Sequence, residues 1–229
     1  ARELEYLSEN GSLGIMLPYT PLHVLLMGED IDCLVMTSAN ISDTPIISDN
    51  GAAVSELSGI ADGFLLHNRM IQTRCDDSLI RIFSGREYPL RRSRGYVPYP
   101  VTVPVGGRYL ACGAEQKASF CLSKPGHAFP SQHMGDLKNA ETLDNWERQI
   151  EHFSALFDIR PEAIACDLHP DYLSTAYAEE RSEAEGIPLL RVQHHHAHMA
   201  ACMADNGLEG ECLGLIWDGT GCGPDGGVW

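Results

Sequence analysis

Histidines crowd into one short stretch of this sequence, and an aspartate follows them at some distance. Four of the ten histidines lie at positions 194, 195, 196 and 198. Residues at i and i+4 share one face of a helix, so His194 and His198 can present two imidazole nitrogens to one metal ion. Asp218 follows the apolar stretch 213–217 and precedes a glycine-rich turn. Its carboxylate can supply a third ligand, and the pattern predicts a metal site built from these three side chains.

The two remaining histidines of the run, His195 and His196, fall on other faces of such a helix. We expect them to contact the ligands or the substrate rather than the ion, which makes them the catalytic candidates. The alternative is a polar patch at a helix end, or a partial tag. The internal position of the run, next to Ala200 and Met203, argues against a tag.

Composition narrows the classes of protein to be considered. The formal net charge of -16 disfavours binding to bulk nucleic acid or to acidic membranes. Hydrophobic residues make up 44% of the chain, which is enough for real cores. No apolar run approaches the roughly 20 residues of a membrane span. The eight cysteines form no Cys-x-x-Cys pair, which favours small buried residues in a reducing cytoplasm.

One local cluster opposes this negative charge. Four arginines lie between residues 86 and 94, and they are a quarter of the 16 lysines and arginines. Such a cluster can hold a phosphate group, or it can be a solvated basic strand. Charge alone does not decide between the two.

The elements that must position these residues fall into two blocks, 1–98 and 107–229, joined by a proline-rich extended linker over 99–106. The first block has predicted helices at 22–27 and 52–57 and predicted strands at 33–37, 63–66, 79–83 and 88–91. The second has strands at 109–112, 119–123, 128–132, 163–166, 189–192 and 213–217. Apolar residues between 143 and 157 recur at helical spacing, and further helices are expected near 174–184 and at the histidine run. This alternation predicts an α/β fold.

Several motifs occur in an order that is typical of known domains. In the first block these are Gly14–Pro18, Thr37–Asn40, Arg74–Ser78 and Arg91–Tyr96. In the second they are Cys112–Lys117, Ser131–Leu137, Cys166–Thr175, Gln193–His198 and Asp218–Gly221. The first set resembles the YrdC-like domain, an α+β twisted sheet. The second resembles part of the ASKHA-like (RNase H-like) carbamoyl-transfer domain of the HypF-type carbamoyltransferases of [NiFe] hydrogenase maturation.

The resemblance implies an activity, cofactors and partners. It implies that carbamoyl phosphate and ATP, with Mg²⁺, yield carbamoyl-adenylate, and that the carbamoyl group passes to the C-terminal cysteine of a HypE-type partner. It implies one Zn²⁺ or Fe²⁺ at His194, His198 and Asp218, with a further ligand outside this chain. By the same resemblance, Ser38, Asn40, Ser78 and Arg94 contact the nucleotide, its magnesium or the carbamoyl group.

Other residues in these motifs keep two interpretations. Asp76 and Asp77 bind magnesium or form a solvated turn. Lys117 contacts a phosphate or is a surface lysine. His133 and His169 line a cleft or satisfy local backbone groups.

The resemblance also implies that the chain is truncated at both ends and is inactive alone as a carbamoyltransferase. The alternative functions are a tRNA threonylcarbamoyladenosine-forming enzyme with the same two domains, which the net charge of -16 disfavours, and a nucleotide- or RNA-binding module without enzyme activity.

Overall fold

The structure is a computed structural model that describes residue 8 and residues 12–28, 30–42 and 44–229. The chain forms two compact units, Ala1–Thr37 and Ser38–Trp229. In the described part of the first unit, helix α1 covers Pro21–Met27. Thr20 caps it, since its hydroxyl accepts a hydrogen bond from the backbone N–H of His23 at 3.3 Å. The helix predicted at 22–27 is therefore confirmed.

The second unit begins with one helix and a β-hairpin. Helix α2 covers Asn50–Leu57, and the Asp49 carboxylate caps it. Strands β1 (Leu79–Phe83) and β2 (Arg86–Arg91) pair in antiparallel fashion. The turn between them has positive φ angles at Ser84 and Gly85, as a two-residue type I′ turn requires. The sequence predicted these elements correctly, with bounds that differ by up to two residues.

A six-stranded mixed sheet forms the rest of the second unit. Its strands are β3 (Val101–Thr102), β4 (Tyr109–Ala111), β5 (Cys121–Lys124), β6 (His127–Pro130), β7 (Ala163–Asp167) and β8 (Leu189–Val192), in the spatial order β3-β6-β5-β4-β7-β8. The pairs from β3 to β4 are antiparallel, whereas β4–β7 and β7–β8 are parallel. Val101 and Thr102 belong to the segment predicted as a linker, and they form the edge strand β3.

Three helices accompany this sheet: α3 (Ala140–Phe157), α4 (Leu173–Glu185) and α5 (His194–Asn206). The predicted apolar stripe of α3 supplies the core, because Trp146, Ile150 and Phe153 are at most 3% exposed. Phe120, which directly precedes β5, packs edge-on against Trp146 and Phe153, with ring centroids 6.3 and 5.2 Å away. The three helices predicted in this block are confirmed.

Three predicted strands are wrong. Residues 33–37, 63–66 and 213–217 are not in a strand in the structure. A strand needs a hydrogen-bonded neighbour, and an apolar run does not supply one by itself. In the last segment Leu213, Leu215 and Trp217 are 92, 80 and 94% exposed, so the described residues do not bury these apolar side chains in a core.

Parallel pairing at one end of the sheet positions the histidine run. Asp167, the last residue of β7, lies in register with Val192, the last residue of β8. Helix α5 begins two residues later, and the Gln193 side chain caps it by accepting the N–H of His196 at 2.8 Å. His194 therefore stands beside the carboxyl end of β7.

None of the helices among the described residues combines the length and the apolar character of a membrane-spanning helix.

Candidate functional site

The three predicted metal ligands converge in the structure. One donor atom from each of His194, His198 and Asp218 lies within 4.8 Å of the other two. The Nε2 atoms of the two histidines are 3.2 Å apart. An Asp218 carboxylate oxygen, Oδ2, is 3.0 Å from Nε2 of His194 and 4.0 Å from Nε2 of His198. The helical spacing of the histidines thus produces the shared face that the sequence predicts.

A cation would satisfy an acceptor atom that has no partner in this cluster. The Nδ1 atom of His194 lies 2.6 Å from a carboxylate oxygen of Asp167, and its Nε2 atom faces the other two ligands. Oδ2 of Asp218 is buried and has no hydrogen-bond partner, although it lies 3.0 Å from that Nε2 atom. A buried carboxylate oxygen without a partner is costly unless a positive charge lies beside it.

The donor set and spacing also fit a metal. Two imidazole nitrogens and a carboxylate oxygen are a ligand set used by both Zn²⁺ and Fe²⁺. Ligands about 2.1 Å from a tetrahedral ion lie about 3.4 Å from one another, and the observed donor separations are 3.0 to 4.0 Å. The side chain of His194 is 17% exposed and that of His198 is 55% exposed, so the cluster is open on one side.

Sequence reasoning missed one member of this cluster. Oδ2 of Asp167 lies 2.6 Å from Nδ1 of His194, on the side of the ring away from the other ligands. The Asp167 side chain is 6% exposed, and its Oδ1 accepts the backbone N–H of His169 at 2.9 Å. An acidic residue at the end of a buried strand, one strand away from the histidine run, is the signal that could have found it.

The two predicted catalytic histidines have different surroundings. The Nδ1 atom of His195 lies 2.8 Å from Nε2 of Gln193, and its ring stacks near Trp229 with centroids 6.4 Å apart. A Cβ atom at Gly221 would lie 2.3 Å from the His195 ring, so only glycine fits there. His196 is exposed. The structure places neither ring among the three converging ligands, in agreement with the helical-face argument.

A cavity of about 340 Å³ lies between the two sequence blocks of the second unit. Ser38, Asn40, Arg74 and Arg91 line it from the first block, and His133 and Asn145 line it from the second. A hydrogen bond joins the two walls: the backbone N–H of His133 donates to the carbonyl oxygen of Arg92 at 3.2 Å. The structure therefore brings Ser38 and Asn40 together with two of the arginines, and Arg91 is one of the cluster noted in the sequence.

The other predicted nucleotide residues do not line this cavity. Ser78 donates its hydroxyl hydrogen to the carbonyl oxygen of Arg94 at 2.8 Å. The Arg94 side chain donates to Asp77 and to the carbonyl oxygen of Cys75. Lys117 is exposed in a turn with a positive φ of 49°. Residues 78 and 94 are thus held to each other by local hydrogen bonds.

The adjacent acidic pair is engaged by arginines. Asp76 accepts from Arg91 at 2.6 Å, and Asp77 accepts from Arg94 at 3.1 Å. All four side chains are about 40% exposed, so these ion pairs contribute little to stability. Of the two pairs, that of Asp76 and Arg91 lies at the cavity wall and holds those two side chains to each other.

Burial shifts the pKa of a histidine at the cavity and the pKa values of two cysteines in the second unit. Burial lowers the pKa of His133, and the positive charges of Arg91 and Lys117 lower it further. Burial also raises the pKa of the Cys112 thiol, and it raises the pKa of Cys121 to about 11. Cys112 is a buried core residue, as expected, and Cys121 is half-buried; the raised pKa values disfavour the reactive thiolate form of both. The expectation is wrong for Cys33, Cys202 and Cys212, which are exposed.

Family models match both blocks of the chain. A model described as the HypF Kae1-like domain matches residues 105–205. A model described as telomere recombination, of the Sua5/YciO/YrdC type, matches residues 3–93. The two matched ranges occur in the order that the motifs indicate.

Known proteins match across both ranges. The carbamoyltransferase HypF of Synechocystis sp. is 45% identical over 223 residues, which are 96% of this chain and 29% of that protein. The chain is homologous to HypF. The resemblance read from the motifs is confirmed, and the chain spans about three tenths of the length of the curated relatives that it matches.

Solved structures agree with this assignment. A crystal structure of full-length HypF in the phosphate- and nucleotide-bound form is 47% identical, with a TM-score of 0.87, over 95% of this chain and 34% of that one. The crystal structure of T. kodakarensis HypF is 41% identical, also with a TM-score of 0.87, over 95% of this chain and 29% of that one. The expected α/β fold class is confirmed by these matches.

Proposed function

We propose that this chain takes part in ATP-dependent carbamoyl transfer, with carbamoyl-adenylate as the intermediate. The carrying observation is the cluster of His194, His198 and Asp218, in which three donor atoms lie within 4.8 Å. The homology to carbamoyltransferases supports the reaction class, since the similarity to the Synechocystis HypF extends over 96% of the chain. The reaction itself, its cofactors and its partner are the proposal.

The cavity side of the second unit suits the adenylate-forming half of the reaction. Arg74 and Arg91 bring positive charge to a polar pocket, and that charge offsets the negative charge that develops on phosphates. Ser38 and Asn40 add a hydroxyl and an amide that can hydrogen-bond ATP or the carbamoyl group. In this reaction water would hydrolyse carbamoyl phosphate to carbamate and phosphate. A carbamate oxygen would then attack the α-phosphorus of ATP, and pyrophosphate would leave; bound Mg²⁺ would offset the negative charge on the phosphates.

The histidine cluster suits the transfer half of the reaction. A bound Zn²⁺ or Fe²⁺ would supply Lewis-acid polarisation of the carbamoyl carbonyl or phosphate oxygens. His194, His198 and Asp218 would hold that ion, and the open side at His198 leaves room for a substrate. The acceptor is the thiolate of a C-terminal cysteine on a HypE-type partner. Its sulfur bonds to the carbonyl carbon as the bond to the phosphate oxygen breaks, and AMP leaves.

A segment exchange tests this function in a protein of full length. The matching segment of the Synechocystis HypF is replaced by this chain, and the chimera is given ATP, carbamoyl phosphate and a HypE-type protein that ends in cysteine. The proposal predicts AMP release and a thiocarboxamide on that cysteine, detected by mass spectrometry. A chimera with His198→Ala is the matched control, and it should form no thiocarboxamide.

Two results would contradict the proposal. One is a folded, metal-loaded chimera that releases no AMP and leaves the cysteine unmodified. The other is the appearance of threonylcarbamoyladenosine in tRNA in place of a modified cysteine. ATP–pyrophosphate exchange that depends on carbamoyl phosphate separates both enzyme activities from a module that merely binds nucleotides.

A further inference from the structure

We propose that Asp167 is a positioning residue that fixes the ring of His194 in the tautomer able to bind a metal ion. The inference rests on the metal site of the proposed function and extends it to a residue outside the ligand set. Oδ2 of Asp167 lies 2.6 Å from Nδ1 of His194, within the range of a charge-assisted hydrogen bond. The Nε2 of the same ring faces Oδ2 of Asp218 at 3.0 Å.

The carboxylate is itself held in place. Asp167 ends β7, is 8% exposed, and accepts the backbone N–H of His169 through Oδ1 at 2.9 Å. Behind it the backbone N–H of Leu168 donates to the carbonyl oxygen of Val192 at 3.2 Å, which joins this strand end to the start of α5. The Asp167 carboxylate and α5 thus both join the ends of neighbouring strands, and the His194 ring lies between the carboxylates of Asp167 and Asp218.

Both oxygens of this carboxylate accept hydrogen bonds, and an amide side chain, which has one oxygen, cannot accept both. Oδ1 accepts from a backbone N–H and Oδ2 accepts from Nδ1 of His194. A neutral imidazole carries one hydrogen, so a hydrogen on Nδ1 leaves the lone pair on Nε2. That nitrogen is the one that faces His198 and Asp218. Asp167 thereby selects the ligating tautomer.

The substitution Asp167→Asn tests this role with almost no change in shape. An amide has one oxygen, and the backbone N–H of His169 requires it. The NH₂ group then faces Nδ1 of His194 and donates to it, which moves the ring hydrogen to Nε2 and directs it at the metal position. We expect zinc affinity to fall about 10- to 100-fold, the range for loss of a hydrogen-bonded support behind a metal ligand.

A second buried carboxylate provides the matched control. Glu115 is 4% exposed, and its Oε1 accepts the backbone N–H of Leu173 at the start of α4, at 3.3 Å. Glu115→Gln keeps that acceptor and removes only a 3.9 Å ion pair with Lys138; neither Leu173 nor Lys138 belongs to the histidine cluster. We expect zinc affinity within about twofold of the parent, because the tautomer of His194 is untouched.

The experiment has two readouts. Zinc affinity is measured by chelator competition for the parent chain, Asp167→Asn, Glu115→Gln and His198→Ala. The tautomer of His194 is read from side-chain ¹⁵N shifts of the metal-free chain at about pH 8, where imidazoles are ordinarily neutral. We expect the hydrogen on Nδ1 in the parent and on Nε2 in Asp167→Asn.

The outcomes separate this inference from the proposed function. If His198→Ala loses zinc while Asp167→Asn retains it, the metal site stands and the positioning role is wrong. If the parent chain binds no zinc, the metal site and this role both fail. If Asp167→Asn does not fold, the parent spectrum still decides, since a hydrogen on Nε2 of His194 in the parent overturns the inference.

Discussion

The six-stranded sheet and the β1–β2 hairpin use their apolar side chains differently. In the strands of the sheet, Leu110, Leu122 and Ile164 are fully buried. In the hairpin, Ile82 and Phe83 are 69 and 70% exposed. The histidine cluster stands at the end of the buried sheet, whereas the arginine-lined cavity borders the half that contains the hairpin. The buried sheet therefore fixes Asp167 at the end of β7, whereas α5, which carries His194 and His198, has no buried residue. The cavity wall includes an exposed ion pair, that of Asp76 and Arg91.

Core truncation should show the largest difference between the two regions. Trp146 is fully buried and packs edge-on against Phe120 and Tyr177. Trp146→Ala should lower the free energy of unfolding by about 3–5 kcal/mol, because it leaves a cavity in the core. Ile82→Ala in the exposed hairpin should change it by less than about 0.5 kcal/mol. Urea unfolding of both variants checks this, and equal losses would mean that the hairpin is buried in solution.

A pair of glycines gives a smaller and more local test of the same difference. Gly113 has a φ of 70°, and a Cβ atom there would lie 2.5 Å from the carbonyl oxygen of Ser119. Gly85 in the hairpin turn has a φ of 76° with open space around it. Both positions disfavour alanine, but only Gly113 also has a backbone contact in the way.

The expected costs of alanine follow from that contrast. Gly113→Ala should destabilise the chain by about 2–3 kcal/mol, and Gly85→Ala by about 1 kcal/mol. Thermal unfolding of the two variants beside the parent chain measures the difference. If the hairpin variant is destabilised as strongly as the sheet variant, the close approach at Ser119 is not what sets the cost.

The smallest expected effect concerns pH and the cavity wall. Burial lowers the pKa of His133, so the imidazole of His133 binds a proton less tightly in the folded chain than in the unfolded chain. Below the unfolded value of about 6.5, the unfolded chain is protonated first, and stability falls as the pH falls. The parent chain should therefore lose more stability between pH 8 and pH 5 than His133→Gln does. Urea unfolding at each pH measures the free energy of unfolding of both proteins. If both lose the same free energy between pH 8 and pH 5, His133 is solvated in the folded chain.

The proximity of the two candidate histidine ligands could be predicted from the sequence because one helix carries both. His194 and His198 are four residues apart, and Asp218 is identified by its place before a glycine-rich turn. Helical periodicity fixes the first two relative to each other without knowledge of the tertiary fold. The sequence does not by itself bring Asp167 to the site, because its contact with His194 depends on the parallel register of β7 and β8.

Other differences between the sequence predictions and the structure have the same physical origin. The segment 213–217 has the composition of a buried strand, but strand formation requires a neighbour that composition cannot supply. The resemblance groups Ser78 and Arg94 with Ser38 and Asn40, whereas in the structure Ser78 donates a hydrogen bond to Arg94 and only Ser38 and Asn40 line the cavity. Arg74 and His133 belong to the cavity through tertiary contact between the blocks, which periodicity does not reveal.

Metal binding by the purified chain tests the central claim most directly. Zinc stoichiometry and affinity are measured for the parent and for His194→Ala, His198→Ala and Asp218→Ala, with His196→Ala as the control on the same helix. We expect about one equivalent in the parent and in the control, and affinity weaker by on the order of 100-fold or more in the three ligand variants. Equal zinc in all five proteins would contradict the account, because the three converging donors would then not form a metal site.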